Sequence, residues 1–170
     1  MPTAGATIFI DTNAIEAAHR HHCWNALRKN YQLCTVGICL EEATRPNKAG
    51  HTLTNKTLAQ LSTELSCVPV GPAQELALMA AIGGLPSLNA GEKSLLAAAY
   101  GLGSTTAWLL CGPDKATLVA MSRLKLADRM VSLEQLATGV GHRFRGLERQ
   151  YGTGWLQEKR TQLLLGNELI

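Results

Sequence analysis

Short runs of apolar residues alternate along this chain with longer segments in which apolar residues recur at helical spacing. The first run, at Thr7–Ile10, is β-branched and aromatic and stops at Asp11-Thr12-Asn13, which predicts a buried strand followed by a helix. By the same criterion, residues 33–36, 105–111 and 131–133 are predicted to form three further strands.

Helices are predicted between and after these strands. They cover residues 13–20 with a continuation to 29, then 39–43, 58–65, 72–82, 89–101, 113–124 and 134–137, and a last helix begins at Trp155. Asn89 and Glu92 have the spacing of a capping box, which marks the clearest helix start. This alternation favours an α/β fold with a small, twisted, mostly parallel sheet flanked by helices on both faces. We assign residues 1–138 to its core and residues 139–170 to a C-terminal basic and aromatic helical extension.

Composition narrows the class of protein. The chain has 170 residues, of which 46% are hydrophobic and only 5% aromatic, so its core is mainly aliphatic. The net charge of +3 is compatible with a nucleic-acid partner. No apolar run approaches the roughly 20 residues that span a bilayer, and the first residues lack the pattern of a signal peptide. We therefore expect a cytoplasmic protein with no membrane partner.

Four acids follow strands or begin helices at comparable places: Asp11, Glu42, Glu92 and Asp114. Capping a helix is an alternative role for Asp11, Glu92 and Asp114. The carboxyl ends of parallel strands share one edge of a sheet, so these acids are expected to meet there. Because four carboxylates in one cleft repel each other, we expect a divalent cation that prefers oxygen ligands, Mg²⁺ or Mn²⁺.

Five segments together resemble the PIN-domain nucleases. They are IFIDTN, LEEA, NAGEKSLLAAA, WLLCGPDKATLVA and LADRMVSLEQL, which span about residues 6–137. The resemblance implies a PIN-like, Rossmann-like three-layer fold in which the four acids are both the metal ligands and the catalytic residues. Glu42 matches the family's apolar spacing better than Glu41 does. The chain departs from the family at Gly112-Pro113-Asp114-Lys115, where many members have Thr or Ser and a second Asp.

The resemblance implies a metal-dependent endoribonuclease that hydrolyses RNA phosphodiester bonds. Many small PIN proteins are toxins of toxin–antitoxin pairs and form homodimers, so an antitoxin partner and a homodimer are expected by analogy. We place Thr12, Asn13, Lys115, Arg143 and Arg145 as substrate-binding residues, since Arg binds phosphate and neighbouring aromatic residues stack on bases. The alternative for the region around Arg143 is a segment packed on the core with a solvated basic face.

Two other functions fit the same residues. One is an RNA-binding or assembly module with a PIN-like fold and little catalysis, which is favoured by the departure from the family around Asp114, the fourth acid. The other is a nuclease that acts on DNA. The cluster at His19, His21, His22 and Cys23 has metal-ligand residue types but no second half, so we interpret it as a helix end. The Gly91–Ser94 segment lacks the phosphate-loop pattern, which excludes that motif.

Overall fold

The computed structural model describes residues 2–46, 54–84 and 87–166. The strands and helices are β1 Thr7–Ile10, α1 Thr12–Arg20, α2 Trp24–Asn30, β2 Gln32–Thr35, α3 Gly37–Thr44, α4 Leu58–Ser62, β3 Ser66–Cys67, α5 Pro72–Ile82, α6 Ala90–Gly101, β4 Leu109–Cys111, α7 Lys115–Arg123, α8 Leu133–Gly139 and α9 Thr153–Leu164. Short 3-10 turns lie at Ala127–Arg129 and Arg149–Tyr151.

The four strands form one parallel sheet in the order β3-β2-β1-β4. Central β1 is buried on both faces, as expected for a strand with parallel neighbours on each side. Ile8 and Ile10 point into one core with residues of α1, α2 and α8. Phe9 points into the other with residues of α5, α6 and α7. The predicted α/β class is therefore confirmed, in a three-layer, Rossmann-like arrangement.

One strand prediction is too long, and another strand does not form. Strand β4 covers only Leu109–Cys111, because the carbonyls of Ser104 and Thr106, further upstream, accept hydrogen bonds from the Arg129 side chain instead of a neighbouring strand. Residues 131–133 form no strand: after a single bridge between Leu110 and Met130, Ser132 caps α8 in a capping box with Gln135. The capping signal in that segment outweighed its apolar character.

The starts of two helices lie at or close to their predicted positions. The helix after β4 begins at Lys115 and not at Pro113, because Asp114 is its N-cap. The capping box of Asn89 and Glu92 is present at the start of α6. Within the described residues, no helix combines the length and apolarity needed to cross a membrane.

The C-terminal extension packs on both cores, although its residues 167–170 lie outside the described residues. Tyr151 is buried in the first core and Leu156 in the second. Phe144 packs against the first core, whereas Arg143 and Arg145 are exposed. The extension is thus a packed segment with exposed basic side chains.

Candidate functional site

Asp11 is fixed at the carboxyl edge of the sheet by its backbone and its side chain. Its N–H donates to the Cys111 carbonyl of β4 over 3.0 Å, and its carboxylate accepts from the Asn13 N–H at 3.2 Å. A Cβ at Gly112 would lie 3.3 Å from the Asp11 Cβ, so the close approach of β4 favours glycine there. Asp11 is only 6% exposed.

Glu42 lies on α3 and faces α1 and α6. The Thr12 hydroxyl, buried at the start of α1, donates to its Oε2 at 2.9 Å. A Cβ at Gly91 would lie 3.3 Å from the same oxygen, so the first turn of α6 packs directly against this carboxylate. The neighbouring Glu41 is exposed and is not among the described residues that line the cleft. Of the two residues, therefore, the structure places Glu42 in the site.

Glu92 and Asp114 are both engaged at helix starts. The backbone N–H of Asn89 donates to Glu92 Oε2 at 3.0 Å, and the Asn89 side-chain amide donates to Oε1 at 2.7 Å. Asp114 accepts from the Thr117 N–H at 3.0 Å as the N-cap of α7. The capping roles considered for Asp11, Glu92 and Asp114 are therefore all present.

The four acids also influence each other electrostatically. Burial raises the pKa of Asp11 from its ordinary 3.8 to about 6, and the Glu42 charge adds to the rise. Burial raises the pKa of Glu92 from 4.5 to about 7, and the charges of Asp114, Asp11 and Glu42 all act in the same direction. All four carboxylates are therefore close enough for their charges to repel.

The ion pairs of the described residues do not involve these four acids. Among the described residues, no Lys, Arg or His lies within ion-pair distance of the four carboxylates, although seven such contacts occur elsewhere. Carboxylates without a cationic partner fit a hard divalent cation by their chemistry. In the described part of the chain, however, no group of three His, Cys, Asp or Glu side chains is arranged to hold one. The carboxylate oxygens are suitable ligands for such a cation, but each of these side chains is already hydrogen-bonded to another residue.

An open cleft of about 400 Å³ is lined by Asp11 and Glu42, whereas Glu92 and Asp114 are not among its described lining residues. Its lining includes Asp11, Glu42 and Asn13, together with two residues that sequence reasoning missed, Glu16 and Arg45. Burial raises the pKa of Glu16, and the charges of Asp11 and Glu42 contribute to the rise. Each missed residue lies one helical turn beyond a recognised one, Glu16 after Asn13 and Arg45 after Glu42. Residues three positions apart are neighbours on a helix surface, so this spacing could have identified both residues from the sequence.

The predicted substrate-binding residues separate into two groups. Asn13 is exposed and lines the cleft together with Thr12, whose hydroxyl is used by Glu42. Lys115, Arg143 and Arg145 are exposed, and none of them is among the described residues that line this cleft. Their contact with a substrate stays a prediction.

His19 and His21 of the histidine cluster make contacts with other side chains. His19 stacks on Trp24 with ring centroids 4.7 Å apart, and His21 Nε2 lies 2.8 Å from Glu148 of the C-terminal extension. Cys23 is buried at the start of α2. These contacts agree with the interpretation of the cluster as a helix end.

Comparison of the chain with protein-family models, with curated proteins and with solved structures finds no match. No relative therefore adds evidence to the fold and the site geometry described above. Any activity has to be argued from the residues at the edge of the sheet.

Proposed function

We propose that this protein is a metal-dependent endoribonuclease. One observation carries the proposal: four separate segments bring Asp11, Glu42, Glu92 and Asp114 to the carboxyl edge of a parallel sheet, where each of the other three charges raises the pKa of Glu92. Ligands of open α/β sheets bind at this edge. Two of these acids, Asp11 and Glu92, are buried. Carboxylates that repel each other and have no ion-pair partner in the described residues reduce stability, a pattern common at functional sites.

Asp11 and Asp114 would hold the cation, since they follow the neighbouring strands β1 and β4. Glu42 and Glu92 would complete the set directly or through water. A bound Mg²⁺ or Mn²⁺ would supply positive charge and an activated water for attack on a phosphodiester. The Thr12 hydroxyl holds the Glu42 carboxylate in place, and Asn89 holds that of Glu92. RNA as the substrate, and an antitoxin or a second copy as partner, rest on the sequence resemblance.

A specific observation favours a second candidate, an RNA-binding or assembly module with little catalysis. Each of the four carboxylates already accepts a hydrogen bond from a neighbouring residue. As stated above, the described side chains are not arranged as a metal-ligand set. In such a module the acids would serve only to cap helices and to fix α3.

Cleavage assays with matched variants separate the two candidates. We would incubate labelled RNA and labelled single-stranded DNA with the protein in Mg²⁺, Mn²⁺ or EDTA. Glu42→Gln and Glu41→Gln form a matched pair, because both remove one charge from α3 and only Glu42 lies in the cleft. We expect wild type to cleave RNA in either metal. Glu42→Gln should lower the cleavage rate at least about 100-fold, and Glu41→Gln should cleave at the wild-type rate.

The other outcomes are equally informative. Activity that survives EDTA, or that persists in Asp11→Asn, contradicts a metal nuclease. RNA binding without cleavage in both metals supports the module. Cleavage of DNA in preference to RNA retains the metal chemistry and corrects the substrate.

A further inference from the structure

Arg45 stands out among the residues that line the acidic cleft. It follows the last turn of α3, and its backbone N–H donates to the Glu42 carbonyl over 3.2 Å. Arg45 is exposed and lines the cleft together with the acids Asp11, Glu16 and Glu42. Among the described lining residues it is the one that carries a positive charge.

The guanidinium of Arg45 has no hydrogen-bond or ion-pair partner in the described ranges. Two other arginines are engaged: Arg20 pairs with Glu148 at 2.7 Å, and Arg129 donates to backbone carbonyls while it covers the Trp108 ring. An arginine next to several carboxylates would be expected to pair with one of them. Arg45 remains available to an anion that enters the cleft.

A nucleic-acid backbone that approaches this cleft meets like charge from three lining carboxylates. A guanidinium at the mouth offsets that repulsion, because it stays charged at every physiological pH and its fork of N–H groups matches two phosphate oxygens. We propose that Arg45 binds a backbone phosphate of the RNA, next to the phosphodiester at the acids, and so positions the strand in the cleft. The proposal rests on the proposed function for the identity of the polyanion.

Binding rather than cleavage is the primary test. We would measure fluorescence anisotropy of a labelled single-stranded RNA with wild type, Arg45→Ala and Arg45→Lys, in EDTA, at several salt concentrations. Lys29→Ala is the matched control, since it removes the same charge from an exposed position on α2 away from the cleft lining. Thermal melting would verify that each variant is folded.

We expect Arg45→Ala to weaken RNA binding about tenfold and to reduce the salt dependence by about one phosphate contact. Arg45→Lys should recover part of the affinity, because the charge is kept and the fork is lost. Lys29→Ala should bind within about twofold of wild type. If Arg45→Ala and Lys29→Ala bind equally well, the proposal is overturned.

Steady-state cleavage gives a second readout. A residue that only positions substrate should raise KM and leave kcat nearly unchanged in Arg45→Ala. A protein that binds RNA through Arg45 but cuts nothing in either metal would refute the nuclease proposal and uphold the phosphate contact. A wild type that neither binds RNA in EDTA nor cuts it in either metal would refute both.

Discussion

Replacing Asp11 with asparagine removes a negative charge from a buried position and keeps a group that can cap α1. The carboxylate accepts from the Asn13 N–H at present, and an asparagine oxygen can accept the same bond, since Asn is as good an N-cap as Asp. The substitution therefore isolates the free-energy cost of ionising residue 11.

The magnitude follows from the pKa. A rise from 3.8 to about 6 means that the folded chain binds the proton more tightly than the unfolded chain does. Wild type therefore loses stability as pH rises through this window, by about 3 kcal/mol in total. Asp11→Asn avoids that loss, so in metal-free protein it should be more stable by about 1–3 kcal/mol at pH 8, and by less than about 1 kcal/mol at pH 4.

Urea unfolding in EDTA at pH 4, 5, 6 and 8 measures this difference directly. Glu41→Gln is the control, because an exposed carboxylate on α3 should show little change at any pH. A gain for Asp11→Asn that is the same at every pH would show that burial of the charge is not its cause. A loss of stability at pH 8 would show that the negative charge of Asp11 stabilises the fold, and would refute the reasoning.

Three further expectations concern the four acids and the residues that contact them. Glu92→Gln should also stabilise metal-free protein at pH 8. The double variant with Asp11→Asn should gain less stability than the two single variants gain together, because each negative charge raises the free energy of ionising the other residue. Urea unfolding of wild type, the two single variants and the double variant tests this. Thr12→Val should lose about 1 kcal/mol in the same assay, whereas Thr12→Ser should not, because only serine can still donate to Glu42. Gly91→Ala should lower RNA cleavage several-fold and change stability by less than about 1 kcal/mol, because its Cβ would press on the Glu42 carboxylate; equal cleavage by wild type and Gly91→Ala would contradict that contact.

The sequence was sufficient to locate the acids because each lies at a strong local signal. Asp11 ends an apolar run, and Glu92 is the partner of Asn89 in a capping box. Such signals depend on residues a few positions apart, which the chain displays directly. The parallel sheet followed from the alternation of strands and helices.

What could not be predicted depends on packing between distant segments. The side of α1 that opens to solvent is decided by how α3 lies against it, so Glu16 and Arg45 were missed. Residues 131–133 looked like a strand, but the hydrogen bonds of Ser132 to Gln135 began a helix. The Arg143 and Arg145 side chains point outward because Phe144 between them packs on the core.

The central claim is that the carboxylates at the edge of the sheet hold a divalent cation. A crystal soaked in Mn²⁺ and measured for anomalous scattering tests it most directly. We expect a peak in contact with the carboxylates of Asp11 and Asp114, and its absence in Asp11→Asn crystals treated in the same way. A wild-type map with no peak between Asp11 and Asp114 would contradict the claim.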